Sequence, residues 1–172
     1  MIIIISGRQG VGKTTIIQQI LQKEPSFKLA VSATTRKKRI NEYENEYYFL
    51  TEKEFEEKEK NQYFLEAISF NGFRYGTPKD EFIKNKIFNV TASSIQVFLK
   101  FLQGYTYQTI FIDAPTQIIK QRLVTRGENS EDILKKLHIG EEEQQFKHYF
   151  HHIINNDILE DTIEKIRRII RN

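Results

Sequence analysis

Residues Gly7 to Thr14, GRQGVGKT, hold the strongest chemical signal in the chain. A glycine, four residues and then Gly-Lys-Thr is the spacing that cradles phosphate. Gly7, Gly10 and Gly12 permit a turn that a Cβ would obstruct. In such a turn successive backbone N–H groups point inward as an anion nest. Lys13 can reach outer phosphates as a mobile charge, and the Thr14 hydroxyl suits Mg²⁺. The helix that follows, through Thr15, adds the positive end of its dipole. Val11 completes the loop. The expected ligand is a nucleoside triphosphate, and the motif alone names no reaction.

Four further groups could do chemistry. Arg36-Lys37-Lys38-Arg39 follows the small residues Ser32-Ala33-Thr34-Thr35. Arg36 and Arg39 could grip an anion through their guanidinium forks, and a solvated basic loop is the plainer alternative. Glu66 stands inside the apolar run Tyr63–Phe70. It either meets a donor or points to water by alternation. Asp113 closes the apolar run Thr109–Ala114, as a carboxylate for a metal beside the loop or as a strand-end turn residue. His148, His151 and His152 have a spacing that a helix could gather around a metal. No matched carboxylate or cysteine set stands nearby, which favours polar residues near a loop.

The elements that must position these groups alternate in type. Met1–Ile5 reads as a buried strand, and Ile16, Ile17, Ile20 and Leu21 as the inner face of a helix that Pro25 ends. Leu29–Val31 is a short strand. Thr51 and Glu54 form a capping box that starts a charged surface helix with Phe55 as its apolar anchor. Tyr63–Phe70 is a strand, and Gly76-Thr77-Pro78 is expected to turn into another helix. Lys86–Thr91 and Thr109–Ala114 are further strands. Helices carry Ile95, Phe98, Leu99 and Leu102; Ile118, Ile119 and Leu123 after Pro115; and, from Ser130, Ile133, Leu134 and Leu137. Ile153-Ile154 is a last strand, and Leu159, Ile163, Ile166 and Ile170 line a closing helix. The alternation implies an α/β fold with a parallel sheet covered on both faces, its ligand at the carboxyl ends of the strands.

A chain of 172 residues fits one domain. The net charge of +3 makes no strong demand for a nucleic-acid partner, and none is expected. With no cysteine, disulfides and thiolate metal sites are excluded, in keeping with a reducing cytoplasm. The N-terminal apolar run is too short to span a membrane and runs into the phosphate loop, so no membrane partner is expected. Monomer and homodimer both remain open.

Taken in order, GRQGVGKT, SATTRKKR, EYYF, TEKEFEE, FLEAISFNGFRYGTP, RGENSEDILKKL and IINNDIL resemble guanylate kinases over nearly the whole chain. The resemblance implies ATP-dependent phosphorylation of GMP or dGMP with Mg²⁺. It implies a P-loop NTPase-type parallel sheet flanked by helices (1–31, 76–121 and 146–172), with an inserted mixed α/β part that binds the monophosphate (32–75) and a helical lid (122–145). The two latter parts are expected to close over the nucleotides.

By the same resemblance, Arg36 and Arg39 match arginines that hold the GMP phosphate, with hydroxyls from Tyr47 and Tyr75. Glu66 matches the carboxylate that reads guanine N1 and N2. Ser32 and Thr77, with Gly76, lie beside the base. Arg126 matches a lid arginine on the ATP phosphates and the moving phosphoryl group. Arg122 and Asn156 are expected on the ATP side. Guanine alone among common bases offers adjacent N1–H and N2–H₂ donors, so a carboxylate suits it and rejects adenine.

Three departures stand out. The family's Asp-x-Asp at the end of the third strand is Asn89-Val90-Thr91 here. Lys136 occupies a lid arginine position and joins Lys13, Arg36 and Arg126 as a candidate catalytic cation. Arg8-Gln9 replaces small residues and is expected to narrow or recharge the phosphate mouth. The alternatives are a related phosphotransferase, acting on ribose 1,5-bisphosphate or another monophosphate, and a non-catalytic guanylate-kinase-like binding module.

Overall fold

A computed structural model gives the architecture and describes residues 1–38, 47–70 and 72–171, with only the backbone of Phe70. Five parallel strands form the main sheet in the order β2-β7-β1-β8-β9. They are β1 (Ile2–Gly7), β2 (Lys28–Leu29), β7 (Lys86–Asn89), β8 (Tyr107–Asp113) and β9 (His152–Asn155). The Met1–Ile5 run forms the centre because alternate isoleucines feed opposite cores. Ile3 and Ile5 join Ile16 and Ile20 of α1 (Lys13–Lys23), Ile119 of α4 (Thr116–Thr125) and Ile163 and Ile166 of α6 (Leu159–Arg171). Ile2 and Ile4 join Phe88, Phe111 and Phe150 under Ile95 and Phe98 of α3 (Ile95–Phe101). All four isoleucines are fully buried, each removal from water contributing about 1.5–3 kcal/mol.

A second sheet runs β4-β3-β6-β5. Its strands are β3 (Ser32–Thr34), β4 (Tyr47–Phe49), β5 (Phe64–Phe70) and β6 (Phe73–Pro78), with β6 antiparallel to both β3 and β5. Helix α2 (Glu52–Lys60) begins with the anticipated capping box: Thr51 Oγ1 accepts from Glu54 N, and Glu54 Oε2 accepts from Thr51 N. Its anchor Phe55 is fully buried and stacks on Phe64. Helix α5 (Ser130–Gln144) begins at Ser130 as expected and is capped by Asn129, whose Oδ1 accepts from Asp132 N at 2.9 Å.

The expected turn at Gly76-Thr77-Pro78 is instead strand, and only the short 3₁₀ turn Lys79–Glu81 follows it. Gly76 is needed for close packing: a Cβ there would meet Phe64 Cγ at 2.8 Å. The predicted Leu29–Val31 strand ends at Leu29, and Ser32–Thr34 crosses into the second sheet. Short, mixed-polarity segments such as Ser32–Thr34 and Tyr47–Phe49 pair through partners distant in sequence, so their own pattern does not announce them.

Candidate active site

The phosphate loop leaves β1 at Gly7 and enters α1 at Lys13. Gly7 has φ +141°, and a Cβ there would lie 2.0 Å from Ile112 O of the neighbouring strand. Gly12 has φ +101°, and a Cβ would meet Asn156 Nδ2 at 2.9 Å. Both glycines are therefore dictated by packing as well as by turn geometry. Gly10 also has positive φ, and Val11 is fully buried. Lys13 Nζ bonds to Gly7 O and, at 3.1 Å, to Arg8 O. Burial pulls its pKa down; Glu143 opposes that shift and Arg126 adds to it. Thr14 and Thr15 are exposed.

Arg122 and Asn156, expected on the ATP side, are joined to the loop backbone. Arg122 donates to Val11 O at 3.0 Å and to Asn156 O at 2.8 Å, and Asn156 Nδ2 donates to Val11 O at 2.7 Å. The buried Asn156 thus helps fix the cradle's shape.

Glu66 of β5 faces a cavity of about 190 Å³. Ser32, Tyr47, Tyr75, Gly76, Thr77, Asn89 and Thr91 share its wall, and so does Lys13 of the phosphate loop. Thr77 Oγ1 donates to Glu66 Oε1 at 3.0 Å, and Ser94 Oγ donates to Oε2 at 3.1 Å. Burial raises the Glu66 pKa above the ordinary carboxylate value, and these two hydroxyls pull it back. The carboxylate points to donors and a cavity, not to water by alternation.

A second cavity, of about 260 Å³, gathers Lys13, Arg36, Arg126 and Lys136 with Tyr75. Three separate segments thus bring cations to one space beside the phosphate loop. Arg36 is buried, packs over the Tyr47 ring at 5.4 Å and donates to Lys37 O at 2.8 Å. Arg126 is exposed, and Lys136 is paired with Glu128. Arg39 lies outside the described residues.

Asp113 is held by cations. Its Oδ2 accepts from Lys147 Nζ at 2.5 Å, and its Oδ1 is 3.6 Å from Arg8 Nη1. No group of three or more His, Cys, Asp or Glu gathers for a metal among the described residues. His151 stacks on Tyr107, and His152 Nε2 meets Gln108 Oε1 at 3.0 Å.

The expectation that Arg8 recharges the phosphate mouth is corrected. Arg8 is 3% exposed and turns away from the cavities, bonding Glu141 at 2.7 Å, Thr116 at 3.1 Å and Ala114 O at 3.4 Å. It fits because residue 140 is glycine: a Cβ there would lie 3.1 Å from Arg8 Nε. Gln9, by contrast, lines both cavities.

Sequence reasoning missed Glu143. It is buried on α5 and lines the Glu66 cavity. Burial raises its pKa, while the Lys13 charge, the nearby Ala92 and Gln9 backbone N–H groups and the Arg8 charge lower it. The available signal was its place on the inward stripe of α5 with Ile133 and Gly140.

A sequence model of the family described as guanylate kinase matches residues 1–172. The chain is 33% identical to the guanylate kinase of Caldanaerobacter subterraneus subsp. tengcongensis, covering 99% of this chain and 86% of that one. It is 33% identical to that of Rickettsia felis (99% and 92% covered) and 34% identical to that of Mycoplasmoides gallisepticum (99% and 91%). Its fold is similar to the crystal structure of guanylate kinase from Anaplasma phagocytophilum, with a TM-score of 0.76 at 22% identity over 99% of this chain and 84% of that one. A shikimate kinase from Bacteroides thetaiotaomicron gives a TM-score of 0.55 at 13% identity, with 100% and 99% covered. The phosphate loop, the acid-walled recess opposite it and the match along the whole chain lead to one conclusion: the chain belongs to the guanylate kinase family.

Proposed function

We propose that the protein transfers the γ-phosphoryl group of ATP to the phosphate of GMP or dGMP. One observation carries this reading: Lys13 of the phosphate loop and Glu66 of the second sheet line the same cavity. A triphosphate in the cradle and a purine against Glu66 would therefore face each other across the cation-lined space.

The steps follow from the residues. Ionised Glu66 accepts from guanine N1–H and N2–H₂. Adenine puts a ring acceptor there and would leave a buried carboxylate opposed. Arg36, with the Tyr75 hydroxyl, holds the acceptor phosphate. Lys13 exchanges its bonds to Gly7 O and Arg8 O for phosphate oxygens. A GMP phosphate oxygen attacks the γ-phosphorus as the bond to the β-bridging oxygen breaks, giving ADP and GDP. Lys13, Arg36 and Arg126 neutralise the charge spread over the moving group. Arg126 is exposed and Lys136 is paired with Glu128, so closure of the lid must bring them inward.

The hydroxyl of Thr14 is exposed at the first turn of α1, where an oxygen donor suits a hard cation. Mg²⁺ held there would supply further neutralisation of the phosphate charge. Asp113 fits this role poorly, since Lys147 and Arg8 already hold its carboxylate. Among the described residues, no helix is long and apolar enough to cross a membrane.

The test is a coupled ADP-release assay with ATP, Mg²⁺ and a panel of nucleoside monophosphates, with ribose 1,5-bisphosphate as a control. Turnover with GMP or dGMP above all others is expected. Background rates with both would refute the proposal.

A further inference from the structure

Glu66 is supported from behind by hydroxyls. Ser94 is 4% exposed and closes the 3₁₀ turn Ala92–Ser94 that leads into α3. Its Oγ lies 3.1 Å from Glu66 Oε2 and 2.9 Å from Thr91 Oγ1, and Ser93 Oγ lies 3.4 Å from Thr91 Oγ1. Each hydroxyl has one proton to give. With Glu66 ionised, Ser94 must donate to it, so Thr91 must donate to Ser94 and Ser93 to Thr91. Every donor then points toward the carboxylate, and such chains polarise one another. A proton on Glu66 Oε2 would reverse that order.

Thr91 stands in the segment that departs from the family's Asp-x-Asp. A carboxylate at 91 would sit one hydroxyl away from Glu66 and resist its ionisation. A neutral hydroxyl supports it instead. We propose that Ser94, backed by Thr91, is a positioning residue that holds the Glu66 carboxylate turned to the base in its acceptor-only form. Acceptor selectivity then depends on the turn before α3 as well as on β5.

The groups that face Glu66 across the cavity are Lys13 on α1, Tyr47 on β4, Tyr75 on β6 and Glu143 on α5. The turn before α3 presents hydroxyls only. Loss of the Ser94 donor should therefore register as harder ionisation of Glu66. Burial already drives Glu66 in that direction, and Ser94 opposes it.

The inference rests on the base-reading role of Glu66, and the experiment separates the two. The coupled assay is run against pH with GMP and AMP for the wild type, Ser94→Ala, Ser94→Thr, Thr91→Val and Glu66→Gln. Ser94→Ala should raise the GMP KM about tenfold, the worth of one hydrogen bond to a charged group. It should leave the ATP KM within about twofold and move the acid limb of kcat/KM for GMP to higher pH. Ser94→Thr should restore both, and Thr91→Val should move them in the same direction by less. If Ser94→Ala does not fold, Thr91→Val decides. A lost GMP/AMP preference in Glu66→Gln, with an unmoved acid limb in Ser94→Ala and Thr91→Val, overturns the hydroxyl chain alone. An unchanged preference in Glu66→Gln overturns the base-reading role and the chain with it.

Discussion

Replacing Arg8 by alanine separates two readings of the phosphate loop. A cation in the phosphate mouth would act on ATP, whereas the structure turns Arg8 into the protein. Its side chain is 4% exposed and ties the loop to Glu141 of α5, Thr116 of α4 and the Asp113–Ala114 end of β8. The Glu141 arm is weak, because that side chain is 56% exposed and solvent screens it, to about 0.2–1 kcal/mol. The Asp113 arm is stronger, because that carboxylate is 13% exposed. Breaking one partner of a buried ionic group costs about 3–5 kcal/mol. For a chain of this size each kcal/mol moves Tm by about 2–4 °C, so Arg8→Ala should melt roughly 6–20 °C lower. Lys147 remains to hold Asp113, which favours the lower half of that range. Calorimetry or thermal fluorescence reads the Tm, and the coupled assay below it reads KM. Glu141→Gln should cost little by comparison. A Tm within about 2 °C of wild type, with a large rise in the ATP KM, would refute the buried-clamp argument.

Four other outcomes are expected. Glu66→Gln should lower kcat/KM for GMP by roughly 10²–10⁴, the loss of up to two charged hydrogen bonds, while improving AMP; the monophosphate panel measures it. Lys13→Ala should lose ATP binding by calorimetry while the protein stays folded, since its two bonds go to Gly7 O and Arg8 O of its own loop. Gly12→Ala should impair ATP binding and lower Tm, because positive φ and the 2.9 Å approach to Asn156 Nδ2 both oppose a Cβ. Glu24 bonds Arg167 at 2.9 Å and Arg171 at 3.1 Å, which holds its pKa below the ordinary 4.5. Its contribution is full above the unfolded pKa and is lost as pH falls through the folded one. The Tm gap between wild type and Glu24→Gln should therefore be present at neutral pH and close in acid.

The sequence by itself determined the groups whose chemistry is local. Gly7–Thr14 specifies its own turn, because the glycines and lysine act within one loop. The isoleucines of β1 specify a strand buried on both faces, because their period needs no distant partner to be read. Thr51, Glu54 and Phe55 likewise declare α2 and its buried side. Only the tertiary structure decided where Glu66 points, since its alternation on β5 allowed water or cavity equally. That choice is made by Thr77 on the paired strand and Ser94 from the turn before α3. The same holds for Arg8, whose position in the motif suggested the phosphate mouth. Gly140, 132 residues later, leaves the space that draws it inward. Propensity and motif spacing act over a few residues, whereas the desolvation of a carboxylate or guanidinium depends on whichever segments fold around it.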